Sequence, residues 1–499
     1  MNRIRVLQLG DEDWSKEYAI PEQVDWFFLE EGDEPGDKPF ELVLIDRVPR
    51  KKELDSLKPV TQCHRLYVTT QVGLRGLLAA FFEEKKGKRL ETENISQFLA
   101  TELRNFFPES YGEKFRHKNL TVSRAFSGTI RWDGDYCLTL QGDYGETFSQ
   151  IAYWRNTIPL FRGQAIDFWL EYEKDPQVAI QLEITQFVGG SISGVQNRWT
   201  FSEEDMQDVV TIDNPLPEGP IFVSLSAKGS GILRIIALHD RYSRRGYGHF
   251  LPGGERYVTS KREEVFCYFE PGNRKPPFNV YFAGYKTMQG FEGLNMMRQL
   301  GCPFLLIAEP RLEGGCFYLG SDEYEEMVRG MIRSHMEELG FTSEQTIFSG
   351  LSMGTFGAFY YGCDFTPHAI LVGKPLTSIG NIAANEKYLR AGGFPTSLDV
   401  LHYLSGDLDA EAISKANARY WDRFDKTDWS NTKFIVAYMI EDDYDATAYQ
   451  DLIDHMHSSG ATLYGKGIHG RHNDDTTAVV QWFRDQYKEM IYEDFRRGL

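Results

Sequence analysis

The sequence predicts an α/β protein in which a small N-terminal α/β domain and a β-sandwich domain precede a C-terminal domain with a mostly parallel sheet. Three observations predict this order. Short apolar runs followed by helical periodicity open the chain, alternating apolar and polar residues replace them from about residue 111, and strands alternate with helices from about residue 256 onward. The predicted domains are residues 1–110, 111–255 and 256–499.

Length and charge limit the functions that the chain can have. It has 499 residues, of which 41% are hydrophobic and 25% are charged, a composition typical of a globular protein. At roughly 100 to 200 residues per domain, this length allows two to four domains, each with its own core. The 73 acidic residues exceed the 54 basic residues and give a net charge of −19. Nucleic acid and anionic lipid are therefore disfavoured as main ligands, because their phosphates would be repelled.

The cysteines and the apolar segments both indicate a cytoplasmic protein. Six cysteines are scattered without a C-x-x-C pair, which predicts reduced, buried thiols. The first apolar stretch ends at Gly10 and is followed by Asp11, Glu12 and Asp13, so it lacks the cleavage site of a signal peptide. No uncharged apolar run approaches the roughly 18 residues that a membrane span needs. We therefore expect no transmembrane segment.

The N-terminal region is predicted to be a small α/β domain. Its strand that ends at Gly10 lacks the second and third glycines of a dinucleotide-binding fingerprint, and acids occupy the positions where phosphate would bind. We therefore reject a nucleotide site and interpret the domain as structural or as a docking site for a partner. The predicted strands are 4–9, 24–29, 41–45 and 66–69, and the predicted helices are 74–84 and 95–107.

The middle region has the alternation that is typical of antiparallel strands. In its clearest strand, Val178, Ile180, Leu182 and Ile184 fall on one face and polar residues on the other. Several such runs, separated by turn residues, predict a sandwich that is a candidate platform for a carbohydrate or a partner. Its tryptophans could stack on sugar rings, but large aromatic side chains more often fill a core. These tryptophans are Trp132, Trp154, Trp169 and Trp199.

The most specific signal is a Gly-x-Ser-x-Gly pattern. An apolar strand over 346–349 runs into Gly350, Ser352 and Gly354 and continues as a helix. This is the context of a nucleophile elbow, the strained strand-to-helix turn that exposes a serine hydroxyl. Glycines are needed on both sides because side chains there would collide with the packed strand and helix. Ser352 is therefore the candidate nucleophile, and the C-terminal domain is predicted to be α/β-hydrolase-like.

A serine nucleophile of this kind needs backbone N–H groups that bind the oxyanion of the acyl intermediate. In this architecture the residue after the nucleophile supplies one of them, which is Met353 here. The other comes from a loop after an earlier strand, and residues 279–285 form such a strand ending in small residues. Gly284 or Tyr285 is the predicted second donor, although Gly284 could equally serve only to turn the chain.

A base must take the serine proton, and a carboxylate must hold that base in the right tautomer. The elbow architecture places them in the order serine, acid, histidine. Residues 433–440 form a buried-type strand that runs directly into three acids, at the strand end where the site of a parallel sheet is expected. Asp442 is the first choice among them, and Glu441 and Asp443 are the alternatives.

Two histidines follow the next predicted strand, residues 461–464. His472 directly precedes a helix-start cluster that would fix its position, whereas His469 lies among glycines, so His472 is the preferred base. A metal site is disfavoured because no His-x-x-x-His pair lies beside a carboxylate. The sequence therefore predicts a triad of Ser352, Asp442 and His472, and no metal.

Four motifs together resemble the accessory Sec system proteins of Gram-positive cocci, in particular the family of the second accessory secretory protein. They are Gly-Leu-Ser-Met-Gly-Thr-Phe-Gly at 350–357, Glu-Asp-Asp-Tyr-Asp at 441–445, Gly-Arg-His-Asn-Asp at 470–474 and Leu-Gln-Leu-Gly-x-x-x-Trp-Ser at 7–15. The resemblance extends over the full chain. It implies a protein in the cytoplasm or peripheral at the membrane translocase. Its implied partners are the first and third accessory secretory proteins, the accessory motor ATPase and a serine-rich repeat glycoprotein adhesin that they export.

The resemblance further implies O-acetylation of N-acetylglucosamine on that adhesin. The implied triad falls on Ser352, an acid among 441–443 and His472, and the acid stays open because glutamate can serve in this family. We expect no tightly bound cofactor, and acetyl-CoA is one candidate acyl donor. The triad does not decide between a sugar and water as acceptor, because the same histidine deprotonates both. A serine esterase and a non-catalytic secretion scaffold are therefore the alternative functions.

Overall fold

A computed structural model describes residues 3–191, 193–390, 392–394, 396–457 and 460–497. In this part of the chain, three sheets of five, ten and eight strands follow one another along the sequence, and helices surround the first and the third. The protein is thus a mixed α/β protein, as predicted. No helix of the described residues is long and apolar enough to cross a membrane.

The first sheet is wholly parallel, with the strand order β2-β1-β3-β4-β5. Alternate residues of β1 pack on opposite faces, Ile4 and Val6 against α3 and Leu7 and Leu9 against α1 and α2. Its strands are β1 (Ile4–Leu9), β2 (Val24–Leu29), β3 (Leu42–Ile45), β4 (Leu66–Thr69) and β5 (Lys88–Leu90), and its helices are α1 (Lys51–Val60), α2 (Gly76–Glu84) and α3 (Ile95–Gln97), which continues as a π-helical turn over Phe98–Glu102.

Helix α1 and strand β5 escaped the sequence prediction. Leu54, Leu57 and Val60 of α1 are buried at helical spacing, but lysines and Pro59 in the last turn conceal that period. Strand β5 has three residues, of which only Leu90 is buried, so it shows no alternation.

The second sheet is antiparallel and is built on two long strands, β9 and β15. The predicted face of β12 is confirmed, because Val178, Ile180, Leu182 and Ile184 are all buried. Its strands are β6 (Gly112–Lys114), β7 (Leu120–Val122), β8 (Thr129–Asp133), β9 (Cys137–Trp154), β10 (Ile158–Leu160), β11 (Ala165–Lys174), β12 (Ala179–Phe187), β13 (Val195–Phe201), β14 (Val210–Asp213) and β15 (Gly219–Tyr242).

Hydrogen bonds join all ten strands into one sheet, where the sequence predicted the two sheets of a sandwich. Register shifts along β9 and β15 explain the difference, because bulges let long strands bend around a core instead of ending at it. Side chains of β9, β11, β12 and β15 form that core. Of the four tryptophans, Trp154 and Trp169 are buried, Trp199 packs partly against the core and Trp132 is 45% exposed.

The third sheet is parallel from β18 to β23, with β16 and β17 added antiparallel at one edge in the order β16-β17-β19-β18-β20-β21-β22-β23. The mostly parallel sheet is confirmed. Its strands are β16 (Glu255–Val258), β17 (Glu264–Glu270), β18 (Phe278–Phe282), β19 (Phe304–Ala308), β20 (Thr346–Leu351), β21 (Ala369–Gly373), β22 (Lys433–Met439) and β23 (Thr462–Ile468), and its helices are α4 (Leu294–Leu300), α5 (Asp322–Leu339), α6 (Met353–Phe365), α7 (Ile379–Tyr388), α8 (Ser397–Ser405), α9 (Ala410–Phe424), α10 (Ala448–Met456) and α11 (Thr476–Glu493).

The strand order reverses between β18 and β20. From β18 the chain passes to β19 on one side and then returns to β20 on the other side. In open parallel sheets, ligands bind in the crevice at the carboxyl ends of the strands where the order reverses. The loops after β18 and β20 therefore border the crevice in which a site is expected.

The six cysteines form no disulfide, and all except Cys363 are buried, as predicted. The middle sheet also contacts the third sheet's helices. The backbone N–H of Asp135 donates to Asp399, and the Tyr136 hydroxyl lies 3.0 Å from Nδ1 of His402, both residues of α8. The turn between β8 and β9 is therefore docked on α8.

Candidate active site

Ser352 occupies a strained turn between β20 and α6. Its φ of 53° and ψ of −123° lie outside the regions that non-glycine residues usually adopt. The flanking glycines are required by close contacts: a Cβ on Gly350 would lie 2.3 Å from the Gly354 carbonyl oxygen, and one on Gly354 would lie 2.1 Å from that of Phe282. The two glycines therefore permit the tight turn that raises the serine hydroxyl above the sheet edge.

The structure brings the three predicted triad side chains together. The Ser352 Oγ lies 2.8 Å from Nε2 of His472, and Nδ1 of the same ring lies 2.8 Å from Oδ2 of Asp442. Both contacts are within the reach of a nucleophile, its base and the group that orients the base. These residues follow β20, β23 and β22, so three separate loops converge at one edge of the sheet.

The carboxylate of Asp442 is held in its ionised form. Burial alone would raise its pKa, but the hydrogen bond from His472 and those from the backbone N–H groups of Tyr444 and Asp445, at 2.8 and 3.1 Å, hold the pKa below its ordinary value. The Tyr444 ring also stacks on the His472 ring at 4.4 Å between centroids. The imidazole is thus held both at its nitrogen and on its face.

The two alternative acids bind the same loop without reaching the His472 ring. The Glu441 carboxylate lies 3.1 Å from Nδ1 of His469 and accepts the Gly470 N–H at 2.6 Å. Asp443 accepts the backbone N–H of His472 at 3.1 Å and pairs with Arg390 at 2.6 Å. The His469 side chain is 86% exposed. Only Asp442 of the three acids therefore contacts the imidazole that reaches Ser352.

Lys374 is a residue of this site that the sequence analysis missed. It follows β21, and its Nζ donates to the Asp474 carbonyl at 3.0 Å and to the Thr476 hydroxyl at 2.9 Å. Burial lowers its pKa, and the nearby Asp442 charge partly counters that effect. The lysine therefore ties the end of β21 to the loop that follows His472.

The predicted oxyanion donors lie in the expected places but differ in what they bind. Met353 is the first residue of α6, where backbone N–H groups lack an intrahelical partner. The N–H of Gly284 donates to Oε2 of Glu292 at 2.6 Å. The N–H of Tyr285 makes no hydrogen bond to any described residue. Of the predicted donors, the Gly284 N–H is therefore already bound, whereas those of Met353 and Tyr285 have no hydrogen-bond partner among the described residues.

A cavity of about 350 Å³ opens onto Ser352 and His472. Tyr285, Phe394 and Tyr444 form a continuous aromatic wall of it, with 5.5 Å between the centroids of each neighbouring pair. Phe394 and Glu292 were not predicted, because neither lies near a motif in the sequence. The cavity gives a small acyl group access to the serine hydroxyl.

Two clusters of potential metal ligands occur among the described residues, and neither includes a residue of this site. In one, both carboxylate oxygens of Glu264 already accept hydrogen bonds from Arg241. The other contains Cys267, and burial raises the pKa of that thiol, which disfavours the thiolate that binds metals. The residues around Ser352 therefore point to chemistry by a serine nucleophile.

The chain is similar to known proteins over nearly its whole length. A family model described as accessory Sec system GspB-transporter matches residues 4–497. An accessory Sec system protein of Streptococcus gordonii, its accessory secretory protein 2, is 37% identical over 507 residues, which cover 99% of both chains. The Staphylococcus aureus protein of the same name is 39% identical over 391 residues, 78% of this chain and 75% of that protein. A chain in the glycosylation-associated protein (Gap123) complex from Streptococcus agalactiae superimposes with a TM-score of 0.89 at 34% identity, over 99% of both chains.

Proposed function

The chain belongs to the accessory Sec system GspB-transporter family, and we propose that it is a serine O-acetyltransferase that also takes part in exporting its substrate. The proposed acceptor is N-acetylglucosamine on a serine-rich repeat glycoprotein adhesin. The observation that most supports the proposal is the unbroken series of hydrogen bonds from Ser352 through both ring nitrogens of His472 to Asp442. Such a series activates a hydroxyl that is otherwise a poor nucleophile at neutral pH.

In the first step, Nε2 of His472 takes the proton of Ser352 while Oγ attacks the acyl carbonyl carbon of the donor. The carbonyl oxygen becomes an oxyanion, which the N–H of Met353 and an N–H of the loop after β18 stabilise. When the intermediate collapses, the bond to the leaving group breaks and that group takes the proton from His472. With acetyl-CoA as the donor, the products are acetylated Ser352 and the free thiol of CoA.

In the second step, His472 takes the proton of the acceptor hydroxyl, whose oxygen attacks the acetyl carbonyl. The bond to Ser352 breaks, the serine regains the proton from the imidazole, and an O-acetylated sugar leaves. Water in place of the sugar would give hydrolysis by the same steps. The aromatic wall of Tyr285, Phe394 and Tyr444 favours transfer, because it offers a sugar ring an apolar face and limits the access of water to the acyl group.

Export is the second part of the proposed function. Similarity over 99% of the chain to an accessory Sec protein and to a chain of the Gap123 complex supports an assembly role. The proposed partners are the first and third accessory secretory proteins, the accessory motor ATPase and the adhesin. We place the protein in the cytoplasm, peripheral at the translocase during export.

The triad is tested by labelling the full-length protein with a fluorophosphonate and by measuring acetyl transfer to N-acetylglucosamine on the adhesin. We expect Ser352 to be labelled in the wild type, and Ser352→Ala and His472→Ala to lower acetyl transfer by about 10⁴-fold or more. His469→Ala is the matched control, because that imidazole lies in the same loop and is exposed. An unreactive Ser352 in folded wild-type protein would contradict the enzymatic proposal and favour the scaffold.

The same variants separate chemistry from transport. Ser352→Ala should remove acetyl groups from the adhesin while the amount of exported adhesin stays near the wild-type level, because the substitution changes one side chain inside a cavity. Acetate release without acetylated sugar in the wild type would instead favour the esterase alternative. Secreted adhesin and its acetyl content can be measured on the same culture.

A further inference from the structure

We propose that Glu292 is a positioning residue that fixes the loop of residues 283–293, here called the oxyanion loop, so that the N–H of Tyr285 is the second oxyanion donor. The proposal rests on the acyl-transfer function above and names a part of its machinery. The oxyanion loop connects β18 to α4 and borders the same cavity as Ser352.

The first evidence is the hydrogen bond that closes the loop. The N–H of Gly284 donates to Oε2 of Glu292 at 2.6 Å, a short bond to a carboxylate. A single N–H that points at a carboxylate cannot also point at an acyl oxygen. The next N–H along the chain, that of Tyr285, binds no described residue, and Tyr285 lines the cavity, so this is the donor that the closed loop leaves unbound there.

The second evidence is the position of the loop relative to the nucleophile. A Cβ on Gly284 would lie 3.0 Å from the carbonyl oxygen of Leu351, the residue before Ser352. The loop backbone therefore lies directly against the elbow. Because an oxyanion donor works only within hydrogen-bond distance of the developing charge, a small shift of this backbone would remove the stabilisation.

The third evidence is that the loop is anchored at its middle as well. Gln289 is 7% exposed, its Oε1 accepts a hydrogen bond from Arg241 at 2.6 Å, and its Nε2 lies 2.6 Å from Nδ1 of His239. Its backbone N–H donates to the Gly112 carbonyl at 2.8 Å. Arg241 and His239 belong to β15, so the middle sheet holds the far side of the loop.

These contacts assign different tasks to the two side chains. Gln289 fixes where the loop runs, and Glu292 ties the returning chain back to Gly284 at the cavity. Between them, Gly290 adopts a φ of 127°, which gives the segment a conformation that other residues rarely adopt. The Lys286 N–H also donates to the Gly314 carbonyl at 3.2 Å, so Tyr285 lies between two hydrogen-bonded neighbours. The bond from Gly284 to Glu292 is the one beside the elbow, and it holds the peptide next to that of Tyr285.

The test separates two properties of the Glu292 side chain: the position of the oxygen that accepts the Gly284 N–H, and the negative charge. Glu292→Gln keeps an acceptor at the same distance from the backbone, whereas Glu292→Ala removes it. In full-length protein with 4-nitrophenyl acetate, we expect Glu292→Ala to lower kcat by roughly 10- to 100-fold with KM within about twofold, because only transition-state binding is lost. We expect Glu292→Gln to recover kcat to within about threefold of the wild type. Glu344→Ala is the matched control, since that exposed residue precedes β20, the strand that ends one residue before Ser352.

Affinity for a boronic acid that mimics the tetrahedral intermediate gives a second readout. In Glu292→Ala this affinity should fall in parallel with kcat. A substitution that altered the structure without affecting oxyanion binding would leave the affinity unchanged. Thermal melting checks that the variants fold. If Glu292→Ala does not fold, Glu292→Asp replaces it, because aspartate keeps the charge but is too short to reach Gly284. We then expect Glu292→Asp to lower kcat and Glu292→Gln to keep it.

Two results would overturn the role of Glu292. One is a wild-type kcat in Glu292→Ala. The other is a loss of kcat in Glu292→Gln as large as that in Glu292→Ala or Glu292→Asp. Both require an active wild type, in which Ser352 reacts with a fluorophosphonate. A wild type that neither reacts nor turns over contradicts the acyl-transfer function itself, so the two failures are distinguishable.

Discussion

Two aspartates at the carboxyl ends of parallel strands, one in the N-terminal sheet and one in the C-terminal sheet, have pKa values shifted in opposite directions. Asp46 directly follows β3, and Asp442 follows β22. Burial raises the pKa of Asp46, and hydrogen bonds from Thr69 and Gln71 do not offset it. Burial acts in the same direction on Asp442, but donors that include the imidazole of His472 lower its pKa.

A position at the carboxyl end of a parallel strand is therefore not enough to make a carboxylate functional. Thr69 and Gln71 give Asp46 neutral partners that cannot pass a proton on. Asp442 instead contacts an imidazole whose other nitrogen reaches a serine hydroxyl. The same strand end thus becomes a candidate active site only where loops from three strands supply complementary groups.

The largest effect expected from testing this comparison is on catalysis. Asp442→Asn should lower kcat by about 10⁴-fold, because an amide stabilises the wrong tautomer of His472 and no longer supports the imidazolium. Asp46→Asn should leave kcat unchanged. Acetyl transfer measured at saturating donor checks both. If Asp442→Asn stays within tenfold of the wild type, the orienting acid is another residue, and Glu441→Gln and Asp443→Asn identify it.

A smaller effect, on the melting temperature, is expected from substituting a glycine in the turn after a strand of each sheet. Gly354→Ala should lower the melting temperature by roughly 4 to 10 °C and slow Ser352 labelling, because the new Cβ would lie 2.1 Å from a backbone carbonyl. Gly10→Ala, after β1, should have a smaller effect, because the new Cβ would lie 2.8 Å from the side-chain amide of Gln8 and no nearer than 3.3 Å to a backbone atom. Equal melting temperatures for the two variants would show that the elbow is not held as tightly as its contacts indicate.

The smallest expected effect is on how the stability of the folded protein depends on pH. A lowered pKa in the folded state stabilises the protein above the ordinary aspartate pKa of about 3.9, and this contribution is lost as the pH falls through the folded value. A raised pKa favours the folded state at low pH, and that advantage is lost as the pH rises through the folded value. At pH 7, Asp442→Asn should therefore lower the melting temperature and Asp46→Asn should raise it, each by about 1 to 3 °C.

The Asp46 difference should shrink first as the pH falls, because the raised pKa lets that carboxylate be protonated in the folded protein above the ordinary aspartate value. The Asp442 difference should persist down to the ordinary aspartate pKa of about 3.9 and shrink only below it, because its folded pKa is lowered. Scanning calorimetry of the wild type and the two variants between pH 3 and pH 7 measures them. Shifts of the same sign at pH 7 would contradict the opposite pKa directions.

Local sequence was enough to identify the elbow. Ser352 could be predicted because the strained turn needs glycines at fixed positions. A Cβ on Gly350 would meet the Gly354 carbonyl four residues on, whereas a Cβ on Gly354 would meet the carbonyl of Phe282 in β18. His472 could be predicted because a helix start follows it directly. Both signals can be read within a short segment of sequence, although the contact that excludes a side chain at Gly354 is tertiary.

The acid of the triad and the oxyanion loop could not be assigned from local sequence in this way. Residues 441–443 are consecutive acids of similar chemistry, and the directions of their side chains depend on how their loop meets the loop after β23. Asp442 was the first choice, but chain order alone left three candidates. Glu292 had no signal at all, because its partner Gly284 lies eight residues earlier and the contact forms only when the loop closes.

By itself, the sequence determined most of the strands and helices of the N-terminal sheet, the parallel C-terminal sheet and a serine on a strained turn, because periodicity and glycine spacing act within short segments. Only the tertiary structure decided that the middle strands form one bent sheet, which acid contacts His472 and which backbone donor stays open beside Ser352. Those outcomes depend on hydrogen bonds between segments far apart in the chain, and their geometry is set when the sheets and loops pack together.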